Sequence, residues 1–586
     1  MEYLKRRVLM PVCLCASVLA MQAQEYNPTV VVTNRYRAAA ENAEKGEIEM
    51  AVPDSVRSFN MTFDYSVFDT PYRGSYEFSP YNVEMKPSLG GRRPGMFYLN
   101  AGIGYTLHPE LDLVYTPVSN GRLSLDIYGN HRSFAGDYRK VGLDGERLTG
   151  LRDNGKRQYW RDWNYDMDNS AGAAFRYDWD RVGLTADLGY DGIQQRDWMR
   201  RRSLDRGSAG VRVFSKDTIG SVGFSTYIGY GFGHDGMVPK YGGERISVGE
   251  NAFRAGVSVG VRTGKAGRFL LDMDASVASY MLGMQHTASL FSFTPHYLLN
   301  VKGWSFDLGV RTDIPVRSKD SGDESDAKHQ YAYPMVKIAY DFQKVPLNIY
   351  LAVTGGERMN SYTSLVGEYR HYGISSAVLP EHAGTAVLGN SVERVKASFG
   401  LRGRIRSVFG YEAFVSYSER ATSPLECVRL AAVDFGGGPE TVPAYDLTFA
   451  SSGLLTAGLD ARYSDEWGRV DLGLRYNGLF VRGDVPQYVA PAALAGNAAV
   501  QFNIIKRIFV GVGCEFATVR RVYLADGSIR IPGFGEPYFS AEFLYSRGLS
   551  FWLKGSRLTG QTVQRTPLYA ERGPELTAGV RLSFGK

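Results

Sequence analysis

The chain has 586 residues and a formal charge of +6 at neutral pH. It holds 67 glycines and 38 tyrosines but only 4 cysteines, and its mean hydropathy is slightly polar. That excludes a polytopic helical membrane protein, which needs several apolar runs of ~20 residues. It does not exclude a membrane barrel, in which only every second strand residue faces lipid.

The first element is a secretory leader. The apolar run Val8–Ala20 follows Lys5, Arg6 and Arg7 and is too short to span a bilayer. Cleavage is expected after Ala23, giving a signal peptide over 1–23. Cys13 and Cys15 lie inside it without a small-residue lipobox, so no lipid anchor is expected. Its removal takes away three basic residues and one acidic residue, leaving +4. That charge is too mild to imply a nucleic-acid partner.

Residues 24–94 form a second unit of different composition. A β-branched run, Thr29-Val30-Val31-Val32-Thr33, precedes an Ala/Glu-rich linker over 38–48. An aromatic stretch follows, with Phe59, Phe63, Tyr65, Phe68, Tyr72, Tyr76, Phe78 and Tyr81.

From Met96 to the end one pattern recurs: apolar and polar or small residues alternate over about ten positions, then a turn intervenes. Phe97, Leu99, Ala101, Ile103 and Tyr105 oppose Tyr98, Asn100, Gly102 and Gly104. Phe269, Leu271 and Met273 oppose Asp272 and Asp274; Val470, Leu472 and Leu474 oppose Asp471 and Arg475; Leu576, Val580 and Phe584 oppose Thr577 and Arg581. Period two with one apolar face is a half-buried strand. Here the opposite face carries charge and glycine, and the apolar face stays free of charge through its middle. The expected fold is all-β: a transmembrane antiparallel β-barrel over 95–586, of about 22 strands by hairpin counting. Phe97, Leu271, Leu472 and Val580 are expected to face lipid.

Tight turns, such as Ser119-Asn120-Gly121, Trp179-Asp180-Arg181, Lys302-Gly303, Asp465-Glu466-Trp467-Gly468 and Lys506-Arg507, alternate with longer connections. The longest run over 135–165 and 361–391. Short turns on one side and long loops on the other are the habit of bacterial barrels. Trp179, Trp304 and Trp467 fall at tight turns, and Trp160, Trp163 and Trp198 at the long-loop end, as two interfacial girdles would require. Two cysteines remain beyond the leader and are expected as free thiols, Cys514 facing lipid and Cys427 in a loop.

The run Pro28–Arg35 resembles the TonB box of the TonB-dependent outer-membrane receptors. The barrel of about 22 strands, closing near Phe584, resembles theirs as well. The resemblance implies a receptor in the cell outer membrane that binds and admits a nutrient. TonB would be the partner at Thr29, Val30, Val31, Val32 and Thr33. An extended β-branched segment can add as a strand to a partner's sheet edge. The sequence departs from the family in one respect that matters. The stretch 24–94 is short for a complete plug domain, so residues 59–90 are expected as an incomplete plug in the lumen. Gly585-Lys586 also follow the terminal aromatic.

The remaining constellations are sparser. His371 and His382 share a loop with Glu368 and Glu381, but a metal site needs three or four converging ligands, so none is expected. The acidic tip 320–326 lacks a complete calcium loop. No nucleophile elbow or cofactor motif appears, and neither enzymatic activity nor a cofactor is expected. Arg200, Arg201 and Arg202 at the long-loop end are candidates for lipopolysaccharide phosphates or an anionic ligand. Trp160 and Trp163 are candidates for stacking on a ligand. Lys396, Arg402, Arg404 and Arg406 line up on an inward face, where they favour anions or pair with lumen acids such as Asp341 and Glu412. A passive channel and a non-transport scaffold or accessory subunit stay open beside the receptor reading.

Overall fold

The computed structural model describes residues 97–584, apart from 106, 120–121, 137–140, 144–150, 154–163, 198–199, 217–221, 240–245, 265, 282–284, 318–331, 343, 372–389, 407, 435–438, 484, 486 and 526. The expected leader over 1–23, the segment Thr29–Thr33, residues 59–90, Trp160, Trp163, Trp198, the acidic tip 320–326 and His382 lie outside the described residues.

Twenty-two antiparallel strands form one sheet, each paired with its sequence neighbours. The sheet closes where the first strand, Phe97–Tyr105, pairs with the last, Glu575–Phe584, from Phe97↔Phe584 to Tyr105↔Leu576. Closure leaves no exposed edge, which is what a lipid environment demands of a sheet. The rings of Phe97 and Phe584 stack at 6.1 Å across the seam. Trp552 lies buried beside it, and Gly102 and Gly579 make room: a Cβ on either would come within 2.4 Å of the indole.

The alternation read from the sequence sorts as expected. Leu188, Val211, Ile228, Phe253, Phe399 and Val512 project outward and are exposed. Phe97, Leu271, Leu472 and Val580 share that face through their registers with Tyr115, Val259, Ala461 and Phe551. Inward positions carry paired charge. Arg475 meets Asp460 at 2.5 Å, Arg462 and Arg469 meet Asp471 at 2.7 and 2.5 Å, and Arg581 meets Glu542 at 2.7 Å. An apolar exterior around a charged interior suits a barrel set in hydrocarbon.

Tight connections gather at one end, with Trp179, Trp304 and Trp467 half-exposed beside them. Lys302 and Gly303 both take positive φ, 46° and 86°, the conformation a two-residue hairpin turn needs. The turn expected at Lys506-Arg507 forms one residue earlier, with Ile505 at φ 51° and Lys506 at 57°. A β-branched residue is a poor occupant of that conformation, which is why the sequence pointed elsewhere.

Cys427 is not in a loop. It is a buried free thiol in the 26-residue strand Phe409–Asp434. That strand and Pro439–Asp465, 27 residues long, far exceed the ~10 residues needed to cross a bilayer. The pairing runs through Pro424 and Pro443, with a register shift between Arg420 and Ser423 just before Pro424. Cys514 takes the outward register, in step with Val512.

Candidate binding chamber in the barrel lumen

The connection after Asn348–Arg358 turns into the barrel rather than away from it. Ser361 caps a seven-residue helix, Tyr362–Glu368, accepting the backbone N–H of Ser364 at 3.2 Å. Tyr362, Leu365, Val366 and Tyr369 are buried against Leu204, Val248, Ala278 and Tyr280 of the barrel wall. Each such burial contributes roughly 1.5–3 kcal/mol, enough to hold a short helix that would not form alone.

Polar bonds fix its orientation. Glu250 accepts the Thr363 N–H at 2.9 Å and its hydroxyl at 2.8 Å. The Tyr362 hydroxyl donates to Asp235 at 2.6 Å. Beyond the helix, Arg370 reaches Asp168 at 2.8 Å and also bonds Asp166. His371 is buried, its ring 4.2 Å from that of Tyr569 and 5.6 Å from that of Tyr445. Burial holds its pKa well below the ordinary value, and the cations Arg200, Arg370 and Arg202 push in the same direction. The neutral ring accepts the Arg200 guanidinium at Nδ1, 2.9 Å away.

A second strap, residues 557–574 between the last two strands, also folds inward. Arg565 donates to both carboxylate oxygens of Glu515 at 2.9 Å and bonds Glu571. Arg557 pairs with Glu575 at 2.7 Å and Glu571 at 3.4 Å. Burial would raise the Glu571 pKa, but Arg565 and Arg557 outweigh it and hold the carboxyl below the usual range. Arg572 lies over the Phe134 ring at 4.8 Å and pairs with Glu575 at 3.4 Å. Against the second strap packs a small sheet, Tyr488–Val489, Arg520–Leu524 and Gly527–Ile531. Val489, Val522, Leu524, Ile529 and Ile531 pack there with Phe134, Val428, Tyr445, Leu568 and Tyr569.

The two straps help to line a chamber of about 560 Å³. Its walls mix acids and bases, among them Glu110, Asp191, Glu426, Glu536, Arg370 and Arg565. Such a wall orients a polar solute by charge.

The residues singled out in the sequence fare unevenly. Arg200, Arg201 and Arg202 are not in a surface loop; they begin the strand Arg200–Ser215. Arg200 and Arg202 point inward, are buried, and hold His371 and Asp235, so only Arg201 stays exposed to meet an outside anion. The charged ladder is on the strand Ser391–Ile405. Arg402 donates to Asn348 at 3.2 Å and lies over the Tyr350 ring, whose hydroxyl donates to Glu412 at 3.1 Å. Lys396 and Arg404 share its inward register, and Arg406 occupies the tight turn with φ 51°. None of the four lines the chamber. Among the described residues, no set of three or more His, Cys, Asp or Glu converges as a metal site.

Sequence reasoning missed Glu426, Glu515 and Glu536, and looked to residues 59–90, not to the barrel's own connections, for what enters the lumen. The signal was present in part: Tyr362, Leu365, Val366 and Tyr369 fall at helical spacing inside a presumed loop.

No family model matches the sequence, and no curated protein matches it either. Solved structures do. The copper transporter OprC aligns at 12% identity over 84% of this chain and 81% of its own, with a TM-score of 0.59. The ferric enterobactin receptor PfeA from Pseudomonas aeruginosa aligns at 9% identity over 84% and 80%, TM-score 0.59. The iron transporter FrpB from Neisseria meningitidis aligns at 10% identity over 84% and 82%, TM-score 0.61. At such identity the likeness establishes the fold: this chain has the 22-stranded barrel of the TonB-dependent receptors.

Proposed function

We propose that this protein is an outer-membrane barrel of the TonB-dependent receptor type, which takes a small nutrient into its lumen from the long-loop side. The chamber carries this reading: a charged, partly open space walled in part by the barrel's own straps, at the end of the barrel where an external solute would arrive. Its neighbours in fold are named as a copper transporter, a ferric enterobactin receptor and an iron transporter. Residues 1–23 would direct export, 59–90 would serve as an incomplete plug from below, and Thr29–Thr33 would present an extended strand to TonB. Exposed Arg201 would face lipopolysaccharide phosphate at the rim.

The test is retention by TonB. The purified full chain is expected to be pulled down by the TonB C-terminal domain, and a chain lacking 28–35 to be lost from it while still assembling as a barrel. Equal retention of both removes energised uptake. A scaffold reading would then take its place, favoured by one observation: the straps close the upper lumen with apolar clusters and ion pairs that need no ligand.

A further inference from the structure

The charges around the chamber do not balance locally. Glu515 and Glu536 stand directly opposite each other on adjacent strands, both buried and both lining the chamber. Like charges in that position repel. The strap answers with Arg557, Arg565 and Arg572, whose ion pairs go to Glu515, Glu571 and Glu575. Four carboxylates thus meet three guanidiniums.

Among the described residues Glu536 has no direct ion pair, and Arg557 and Arg565 act on it only from a distance. Its Oε1 accepts the Thr559 hydroxyl at 2.7 Å, and its Oε2 is buried with no hydrogen-bond partner. Only 5% of the residue is exposed. Glu426, on another strand of the same chamber, is 6% exposed; Arg520 acts on it from a distance, and its Oε2 is buried with no hydrogen-bond partner. A buried carboxylate without a cation is strongly disfavoured and draws either a proton or a positive charge.

The neighbouring cations on the chamber wall are committed elsewhere. Arg370 serves Asp166 and Asp168, and Lys554 pairs with Glu110 at 3.5 Å. Arg206 donates to the Thr363 carbonyl and stands opposite Asp191. A cation in direct contact with the two free oxygens would come from outside the chain. With no converging metal-ligand set among the described residues, the fitting ligand carries a nitrogen cation that donates several hydrogen bonds.

We infer that the chamber binds an organic cation, whose primary ammonium or guanidinium groups are received by the free carboxylate oxygens of Glu536 and Glu426. Ion pairs to Arg565 and Arg557 hold the neighbouring acids in place, so each free oxygen marks a place for a charged group. This rests on the receptor reading but concerns only the chamber.

Agmatine is a suitable probe, titrated calorimetrically into the detergent-purified full chain at pH 7.5, with citrate as the anionic comparison and Ca²⁺ as the metal comparison. The unaltered chain is expected to bind agmatine and neither comparison. Glu536→Gln and Glu426→Gln should each weaken agmatine about tenfold or more, the loss of one charged hydrogen bond. Exposed Glu466→Gln should change nothing. Glu536→Gln removes a buried charge that has no direct ion pair and keeps the Thr559 contact, so it should melt no lower than the parent. Citrate or Ca²⁺ binding in place of agmatine overturns the inference using the unaltered chain alone. So does agmatine binding that is indifferent to both substitutions, which would mark the carboxyls as protonated bystanders. TonB retention without agmatine binding removes this inference only; agmatine binding without TonB retention removes energised uptake and leaves the chamber chemistry standing.

Discussion

Arg202 holds Asp235 through two hydrogen bonds, 2.9 Å from Nε and 2.6 Å from Nη2, with both side chains shut away from solvent. The pair does more than join two strands. Tyr362 donates to the same carboxylate, and Arg202 also donates to the Arg370 carbonyl at 3.0 Å. Wall, helix and chain beyond the helix meet at one ion pair, so the inward strap depends on it.

Asp235→Ala would strand a buried guanidinium. Breaking a buried pair by removing one partner costs about 3–5 kcal/mol. The two barrel strands that the pair bridges keep their backbone ladder without it, so the loss should fall on the strap. Hydrogen exchange measured by mass spectrometry is expected to show protection lost over 362–371 while the strand Gly267–Met281 stays protected. Full retention of protection at 362–371 would show that the apolar face of the helix suffices without the pair.

The outer band offers a second check. Leu472 lies in the outward register of Gly468–Val481, between Val470 and Leu474 and opposite Ala461 and Ala498. Arginine placed at mid-bilayer on a barrel costs about 2–4 kcal/mol. Leu472→Arg should therefore lower the unfolding midpoint in phospholipid vesicles, whereas Asp471→Asn, on the inward face, should act through its pairs with Arg462 and Arg469 instead. A Leu472→Arg barrel that folds and melts like the parent would place this residue away from lipid.

The sequence showed the barrel more readily than the chamber, and the reason is periodicity. Strand alternation is local, so Phe97, Leu271, Leu472 and Val580 declare their face within ten residues, and the tryptophans at tight turns declare an end. The chamber depends on contacts far apart in the chain. Glu515 and Arg565 are 50 residues apart, and Arg200 and His371 are 171 apart. Arg200–Arg202 were visible as a basic run, but a run does not say which side chains turn inward; the strand that begins at Arg200 separates Arg201 from its two neighbours. The extension of Phe409–Asp434 through Pro424 was hidden because a bulge just before it breaks the alternation.

His371 makes the inward strap sensitive to acid. The groups facing it are Arg200 at 2.9 Å, the nearby Arg202 and Arg370, and the rings of Tyr445 and Tyr569. Burial and the three cations all oppose protonation, so the folded-state pKa lies well below the ordinary 6.5. A histidine with a depressed pKa binds its proton more readily once released. The contribution of the neutral ring is therefore complete above about pH 6.5 and declines as pH falls below it, by up to about 1.4 kcal/mol per pH unit. Glu571, also held low, loses its contribution only below the ordinary carboxyl range and stays outside this window. Exchange at 369–371, corrected for the intrinsic pH dependence of amide exchange, is expected to be slow at pH 7.5 and faster at pH 5.5. Barrel strands should hold their protection at both. His371→Gln removes the titrating group, so its exchange at these positions should be equal at the two pH values. A parent chain with equal protection at both would show that protonation at this position does not open the strap.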